Sequence, residues 1–265
     1  MARDKALIIA NWKMNLGVHE SSLYVHRLAK EVKTHRSVEV VLAPTILALQ
    51  TLSLQVNFRQ FKLAVQNFYW RDHGPYTGEV SASQLRGIVQ YALVGHSERR
   101  HVFHESDKDT RAKVQAAIRN GITPILCVGE TAHERAVGET QDVLHDQLIG
   151  GLANVTSEDL ENVVIAYEPV WAISNGMSGD DHHATPQDVT EAARIIRNQL
   201  KHLYGAKAAE NTPVLYGGSV NADDAAGFLE LPEIDGAIVG IASLDAKAFS
   251  SIVEKAYTAW QRKKK

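Results

Sequence analysis

The sequence predicts an α/β fold in which eight parallel strands close into a (β/α)8 barrel. Three observations lead to it: eight short apolar runs rich in β-branched residues, a helical pattern after each run, and a length of 265 residues. Runs that are apolar almost throughout are typical of strands covered on both faces, and strict strand–helix alternation indicates parallel pairing through helical crossovers. An open doubly wound sheet can be built from the same units, but eight successive units in this length favour the closed barrel.

Each predicted strand is a run of six residues that is rich in apolar side chains. The eight runs span residues 6–11, 39–44, 62–67, 91–96, 124–129, 163–168, 213–218 and 236–241.

Between and after the strands, apolar residues recur at three- and four-residue spacing, which predicts helices. Thr185 before Pro186 is a typical helix start, and Asn221 before an acidic turn is another. No linker or shift in composition interrupts the series, so we expect one domain over residues 1–265. The predicted helices span residues 22–32, 46–54, 82–88, 110–119, 134–148, 186–204, 222–229 and 246–261.

Composition and charge exclude several classes of protein. The formal net charge of −3 predicts no nucleic-acid partner, since such binding needs a concentrated basic face, and the basic residues 262–265 read as a solvated tail. Cys127 is the only cysteine, so no internal disulfide is expected. No apolar run approaches the roughly 18 residues of a membrane span, and the N-terminus does not resemble a signal peptide. The sequence therefore predicts a soluble, cytoplasmic protein without a membrane partner.

Barrels of this kind carry their active sites at the carboxyl ends of the strands. In this sequence those positions hold a cation, an imidazole, carboxylates and two glycine-bearing turns. They are Asn11 and Lys13 after the first strand, His96 and Glu98 after the fourth, Glu168 after the sixth, 217–219 after the seventh and Gly240 after the eighth.

Each residue also has an ordinary structural interpretation when taken alone. Lys13 is then a surface lysine, His96 a hydrogen-bonded structural histidine, and Glu98 a partner of Arg99 or Arg100. The occurrence of all these residues at one end of the barrel favours a functional site over separate structural roles. A glycine-rich turn that leads into a helix exposes N–H groups for phosphate, while a carboxylate base, an imidazole and a lysine suit proton abstraction next to a carbonyl.

These residues lie within segments that closely resemble triosephosphate isomerase. The segments occur in that family's order and cover essentially the whole chain, so the resemblance implies a TIM-barrel enzyme. They read NWKMN at 11–15, QNFYWRDHGPYTGEVS at 66–81, VGHSERR at 94–100, CVGET at 127–131, AYEPVWAI at 166–173, YGGSVN at 216–221 and VGIASL at 239–244.

The resemblance implies a role for each polar residue of the mouth. Glu168 is the base that moves a proton between adjacent carbons, and neutral His96 polarises the substrate carbonyl, a protonation state taken from the family. Lys13 stabilises developing negative charge with help from Asn11, and Glu98 orients Lys13. No metal or organic cofactor is implied.

The resemblance also implies a lid, a phosphate site and a homodimer. The lid closes over phosphate and excludes water from the intermediate. Thr77 lies on a loop that reaches the Asn11 and Lys13 of a partner subunit, and Cys127 is expected to be a buried packing residue. The lid comprises Pro169, Val170, Trp171, Ala172, Ile173, Ser174, Asn175 and Gly176, and the phosphate-binding residues are Ser174, Ser219, Gly240 and Ile241.

Three departures from the family pattern leave the substrate open. Residues 174–176 read SNG where the family usually has GTG, the lid exit 177–183 is longer, and Ile241 replaces a second glycine. Asp180 to His183 suggest a metal site, although a solvated loop insertion is the simpler interpretation. The leading hypothesis is an isomerase of dihydroxyacetone phosphate and glyceraldehyde 3-phosphate. The alternatives are a paralogue acting on a four-carbon tetrulose phosphate and a non-catalytic barrel that binds a phosphorylated ligand.

Overall fold

The structure is a computed structural model and describes residues 4–173 and 183–264. Eight strands pair in chain order, and β8 pairs with β1, so the sheet is a closed parallel barrel. The predicted (β/α)8 barrel is confirmed and the open sheet is excluded. The strands are β1 Ala6–Asn11, β2 Val38–Ala43, β3 Phe61–Val65, β4 Tyr91–Val94, β5 Thr123–Val128, β6 Val164–Tyr167, β7 Val214–Tyr216 and β8 Gly236–Val239.

Helices cover the outside of the barrel, and two 3-10 helices follow β6 and β8, at Val170–Ala172 and Ile241–Leu244. The α-helices are α1 Val18–Glu31, α2 Ile46–Gln55, α3 Ala82–Leu85, α4 Ser97–His101, α5 Asp107–Arg119, α6 Ala132–Ala136, α7 Thr140–Leu152, α8 Ser157–Leu160, α9 Pro186–Tyr204, α10 Ala206–Asn211, α11 Ala225–Leu229 and α12 Ala246–Lys263.

Element boundaries differ from the predictions where glycine changes the chain direction. The fourth strand ends at Val94 instead of residue 96, because Gly95 adopts φ 68° and His96 caps α4. The helix predicted over 134–148 is two helices, α6 and α7, separated around Gly138 at φ 82°. Left-handed backbone of this kind cannot continue a right-handed helix.

The strands separate two apolar cores. Alternate residues such as Leu7 and Ile9 of β1 point into the barrel interior, whereas Ile8 and Ala10 pack against the helices. Because all strands run in the same direction, their carboxyl ends meet at one mouth. This geometry brings the polar residues that follow β1, β4 and β6 together.

The long helix α9 starts as predicted. The Thr185 side chain accepts a hydrogen bond from the Asp188 N–H, and Pro186 occupies the first turn. In the described part of the chain, no helix is both long and apolar enough to cross a membrane.

Candidate active site

The barrel mouth contains a cavity of about 320 Å³. Asn11, Lys13, His96, Ser219, Gly240 and Ile241 all line it, so the structure brings most of the predicted site residues together. Glu168 lies immediately beside His96, with its Oε1 atom 3.5 Å from His96 Nε2.

A tight turn after β1 holds Lys13. The Lys13 backbone has φ 51°, which is uncommon for a residue with a side chain, and needs support from its surroundings. That support comes from Asn11 Oδ1, which accepts from the Lys13 N–H at 3.1 Å, and from Gln66, whose Nε2 donates to Lys13 O at 2.9 Å and to Ala43 O at 2.8 Å. Lys13 Nζ donates to Glu98 Oε1 at 2.7 Å, as the resemblance implies.

His96 is the N-cap of α4, and this position fixes which ring nitrogen faces the cavity. Its Nδ1 accepts the Glu98 N–H at 3.2 Å, so the ring's own N–H is on Nε2. Nε2 lies 3.4 Å from Asn11 Nδ2. Two donors therefore stand side by side at the cavity wall, an arrangement that suits a carbonyl or enediolate oxygen between them.

Glu168 is 1% exposed although it carries a carboxylate. Oε2 accepts the Ser97 N–H at 3.0 Å, at the N-terminus of α4, whereas Oε1 has no hydrogen-bond partner among the described residues. Two glycines make room for it. A Cβ on Gly217 would lie 2.7 Å from Glu168 Cγ, and a Cβ on Gly129 would lie 1.9 Å from Glu168 O.

Backbone from the ends of β7 and β8 forms the opposite wall of the cavity. Gly240 begins the 3-10 helix 241–244, whose first N–H groups have no partner within the helix. Ser219 N–H donates to Ala172 O at 3.1 Å, which ties this wall to the base of the lid. Ile241 is 65% exposed and its φ is not positive, so a β-branched residue is accommodated there without backbone strain.

The predicted lid is described up to Ile173. Ser174, Asn175 and Gly176, and the exit residues 177–182, lie outside the described residues, and His183 lines the cavity. The lid base is anchored by Glu130, which is fully buried and which the sequence analysis did not single out. Glu130 accepts from Trp171 Nε1 at 2.9 Å and from the Tyr167 hydroxyl at 3.1 Å.

Burial, and next the charge of Glu130, raise the pKa of the Tyr167 hydroxyl above its ordinary value. Arg135 lies 4.3 Å above the Trp171 ring and 3.7 Å from Glu130 Oε1. Its contacts with the indole and with Glu130 fix the first residues of the lid.

Thr77 and Cys127 also lie outside the cavity. Thr77 is exposed on the loop between β3 and α3, and does not line the mouth of its own chain. Cys127 is buried inside the barrel, as expected. Burial and the nearby Glu168 carboxylate raise the pKa of its thiol well above the usual value.

Sequence reasoning missed the residues that position the others. Gln66, Gly129 and Glu130 all fall in segments that were matched to a family, yet none bears a charge pattern or spacing that assigns it a contact. No sequence pattern predicts that the backbone N–H of Ser97 donates to Glu168. Glu130 could have been identified from the sequence by its position, because it is a single carboxylate just after β5, at the same end of the barrel as Glu168.

Comparison with known proteins identifies the family of the chain. The triosephosphate isomerase family profile matches residues 6–256. Triosephosphate isomerases from Geotalea uraniireducens and Caldanaerobacter subterraneus subsp. tengcongensis are 40% and 42% identical over 250 residues, which is 94% of this chain and 98% of theirs. That of Chloroherpeton thalassium is 40% identical over 257 residues, 95% of this chain and 99% of its own. The chain therefore belongs to the triosephosphate isomerase family.

Proposed function

We propose that this enzyme interconverts dihydroxyacetone phosphate and D-glyceraldehyde 3-phosphate through an enediolate, with Glu168 as the base. The observation that carries the proposal is a buried Glu168 carboxylate with one unpartnered oxygen, beside the Nε2–H of His96 and a cavity that also contains Lys13. A base, an electrophile and a cation within reach of one small ligand are what enolisation requires.

The proton transfer uses Glu168 twice. Its carboxylate removes a proton from the carbon next to the substrate carbonyl, and the C–H electrons form the double bond of the enediolate. Glu168 then returns a proton to the adjacent carbon, while the hydroxyl proton of the substrate passes from one substrate oxygen to the other, so the new carbonyl forms and no proton is gained or lost overall. Because Ser97 N–H holds Oε2, the unpartnered Oε1 is the oxygen that is available in the described state.

Negative charge on the substrate oxygen is stabilised by three nitrogen donors. His96 Nε2–H and Asn11 Nδ2 face the same space, and Lys13 Nζ adds a positive charge that Glu98 orients. Donors fixed by a helix N-terminus and a tight turn need little reorganisation during the reaction, which is the main source of their catalytic effect.

The substrate phosphate binds against the ends of β7 and β8. Backbone N–H groups of Gly240 and Ile241 and the Ser219 loop line that side of the cavity, and Ser174 on the lid is proposed to complete the site. Since Ser219 N–H is bonded to Ala172 O, phosphate binding and the position of the lid base are linked through one hydrogen bond.

Dimerisation is a further part of the proposal. Met14, next to Lys13, is 95% exposed, and Leu47 at the start of α2 is 77% exposed. Both lie near the carboxyl ends of β1 and β2, where the Thr77 loop of a second subunit would cover them. A cytoplasmic location is also proposed, because a single buried cysteine gives no internal disulfide.

The test measures initial rates with glyceraldehyde 3-phosphate and with a tetrulose phosphate. We expect rapid turnover of the triose, and a loss of roughly 10²–10⁴-fold or more in Glu168→Gln, because a positioned general base contributes that much. Binding of glycerol 3-phosphate should be retained, since Gln preserves the shape. The control is Glu161→Gln, an exposed glutamate, which should keep full activity.

Three outcomes would redirect the proposal. If only the four-carbon substrate reacts, Ile241 and the long lid exit set specificity and the paralogue hypothesis replaces this one. If Glu168→Gln keeps its rate, Glu168 is not the base, and if neither substrate reacts the chain is a non-catalytic barrel.

A further inference from the structure

A second cavity, of about 400 Å³, lies at the opposite end of the barrel from Glu168. It is formed where β1, β2 and β3 begin, together with the loops that precede β2 and β3. Its lining residues are Lys5, Thr34, His35, Arg36, Val38, Glu39, Phe58, Arg59, Gln60, Phe61 and Lys62.

The charge of this cavity is unbalanced. Four cations line it, whereas Glu39 is the one carboxylate among its described lining residues. Glu39 lies 3.7 Å from Lys5 Nζ and also accepts the Tyr91 hydroxyl, so its negative charge is already engaged. Arg36, Arg59 and Lys62 form no ion pair with any described carboxylate.

The walls of the cavity are held in place by contacts that do not use these cations. His35 Nε2 lies 2.9 Å from Glu254 Oε1, and the His35 ring stacks on Tyr257 at 4.0 Å. Gln60 Nε2 donates to Ala29 O at 3.0 Å and to Val32 O at 2.8 Å, at the carboxyl end of α1. The loops that carry Arg36 and Arg59 are therefore anchored on both sides.

We propose that this cavity binds a small anion that bears two or more phosphate groups. Guanidinium groups match phosphate oxygens in paired hydrogen bonds, and several adjacent cations repel one another unless an anion lies between them. A concave pocket of about 400 Å³ falls in the range of small-molecule sites. A net charge of −3 and a basic cluster confined to one pocket favour a small anion over a nucleic acid, which needs an extended basic surface.

The experiment titrates the wild-type protein with inorganic tripolyphosphate and pyrophosphate by calorimetry, in the presence of saturating glycerol 3-phosphate to occupy the barrel mouth. Orthophosphate and sulfate serve as probes with a single anionic group. We expect tripolyphosphate to bind more tightly than either, and the affinity to fall as potassium chloride is added, because exposed charges are screened.

The variant Arg36→Gln/Arg59→Gln/Lys62→Gln should weaken tripolyphosphate binding by about tenfold or more, since it removes three charge-assisted contacts. The matched control Lys108→Gln/Lys207→Gln/Lys247→Gln makes the same change in charge at exposed positions outside the cavity and should keep the affinity. Isomerisation rates should be unchanged in both triple variants. Arg59→Gln alone, at an exposed position, gives a second readout if the triple variant folds poorly.

Three results would overturn the proposal. The first is that wild-type protein binds tripolyphosphate no more tightly than orthophosphate. The second is that both triple variants lose affinity equally, which would indicate a response to net charge alone. The third is that glycerol 3-phosphate abolishes binding, which would place the anion in the barrel mouth.

Discussion

The Glu168 side chain has little conformational freedom, because the residues packed around it restrict it to one position. Its carboxylate is packed between the α4 N-terminus and the turn that follows β7, where Gly217 has no side chain to displace it, and Gly129 leaves room for the Glu168 backbone carbonyl. Burying a carboxylate costs free energy unless it gains hydrogen bonds, and here one oxygen gains a bond while the other does not. The residue therefore combines a fixed position with an oxygen left open for proton transfer.

Gly217→Ala should lower kcat by about tenfold or more without preventing folding. The new Cβ would lie 2.7 Å from Glu168 Cγ, so the base must shift, and small misplacements of catalytic groups cost large factors in rate. Steady-state kinetics on the purified variant measure the effect. Gly227→Ala is the control, because its Cβ would meet only Pro186 at 3.9 Å. Equal rates in both variants would mean that Gly217 does not position the base.

The Cys127 thiol should not react with alkylating reagents in the folded protein, even at mildly alkaline pH. Its pKa is raised by burial and by the Glu168 carboxylate, so the thiolate that reacts is scarce below that raised value. Mass spectrometry after treatment with iodoacetamide should show one modification in denaturant and none without it. Rapid labelling of native protein would contradict the burial of Cys127 inside the barrel.

At the scale of elements, the site depends on the short connections between each strand and the helix that follows it. β4 ends at Val94, and two residues later His96 already caps α4, so one turn delivers an imidazole and the first N–H groups of a helix to the cavity. The same transition after β8 starts a 3-10 helix at Ile241. Short transitions of this kind leave few backbone conformations, which is why the donors are fixed before substrate binds.

Thr185→Ala should destabilise the protein by about 1 kcal/mol, because it removes the side-chain acceptor that caps α9. Urea unfolding followed by circular dichroism measures the change. Thr190→Ala is the matched control: its hydroxyl bonds back to Pro186 O within the same helix, so we expect an effect within about 0.5 kcal/mol. A larger loss in the control than in Thr185→Ala would show that the cap contributes little.

At the scale of the whole molecule, the closed barrel leaves its two ends with different chemistry. His96 and Lys13 line the cavity where the strands end, with Glu168 beside His96, whereas Arg36 and Arg59 line the cavity where the strands begin. Parallel strands make this separation unavoidable, because every strand starts at one end and finishes at the other. The organisation of the chain as one domain stays a prediction.

Thr77→Arg should convert a dimer into monomers and lower activity, because a long charged side chain would enter the contact proposed between the Thr77 loop and a second subunit. Sedimentation velocity combined with rate measurements tests this. Thr258→Arg adds the same side chain at an exposed position of α12 and should stay dimeric. A fully active monomer of the wild-type chain would show that no partner is needed.

The sequence by itself determined the barrel and the chemical groups at its mouth. Eight apolar runs can be buried on both faces only in a parallel sheet covered by helices, and polar residues after those runs must then meet at one end. Asn11, Lys13, His96 and Glu168 were identified in this way and through the family resemblance, because each follows a strong strand signal.

Only the tertiary structure decided how these groups are held. The N–H of Ser97 on Glu168, the Gln66 amide behind Lys13, and Glu130 beneath Trp171 join residues that lie far apart in the chain. The basic cavity at the other end likewise joins Lys5, Arg36 and Lys62 from three strand starts. No local pattern encodes such contacts, since they depend on the register and packing of distant elements, which exist only once the barrel has closed.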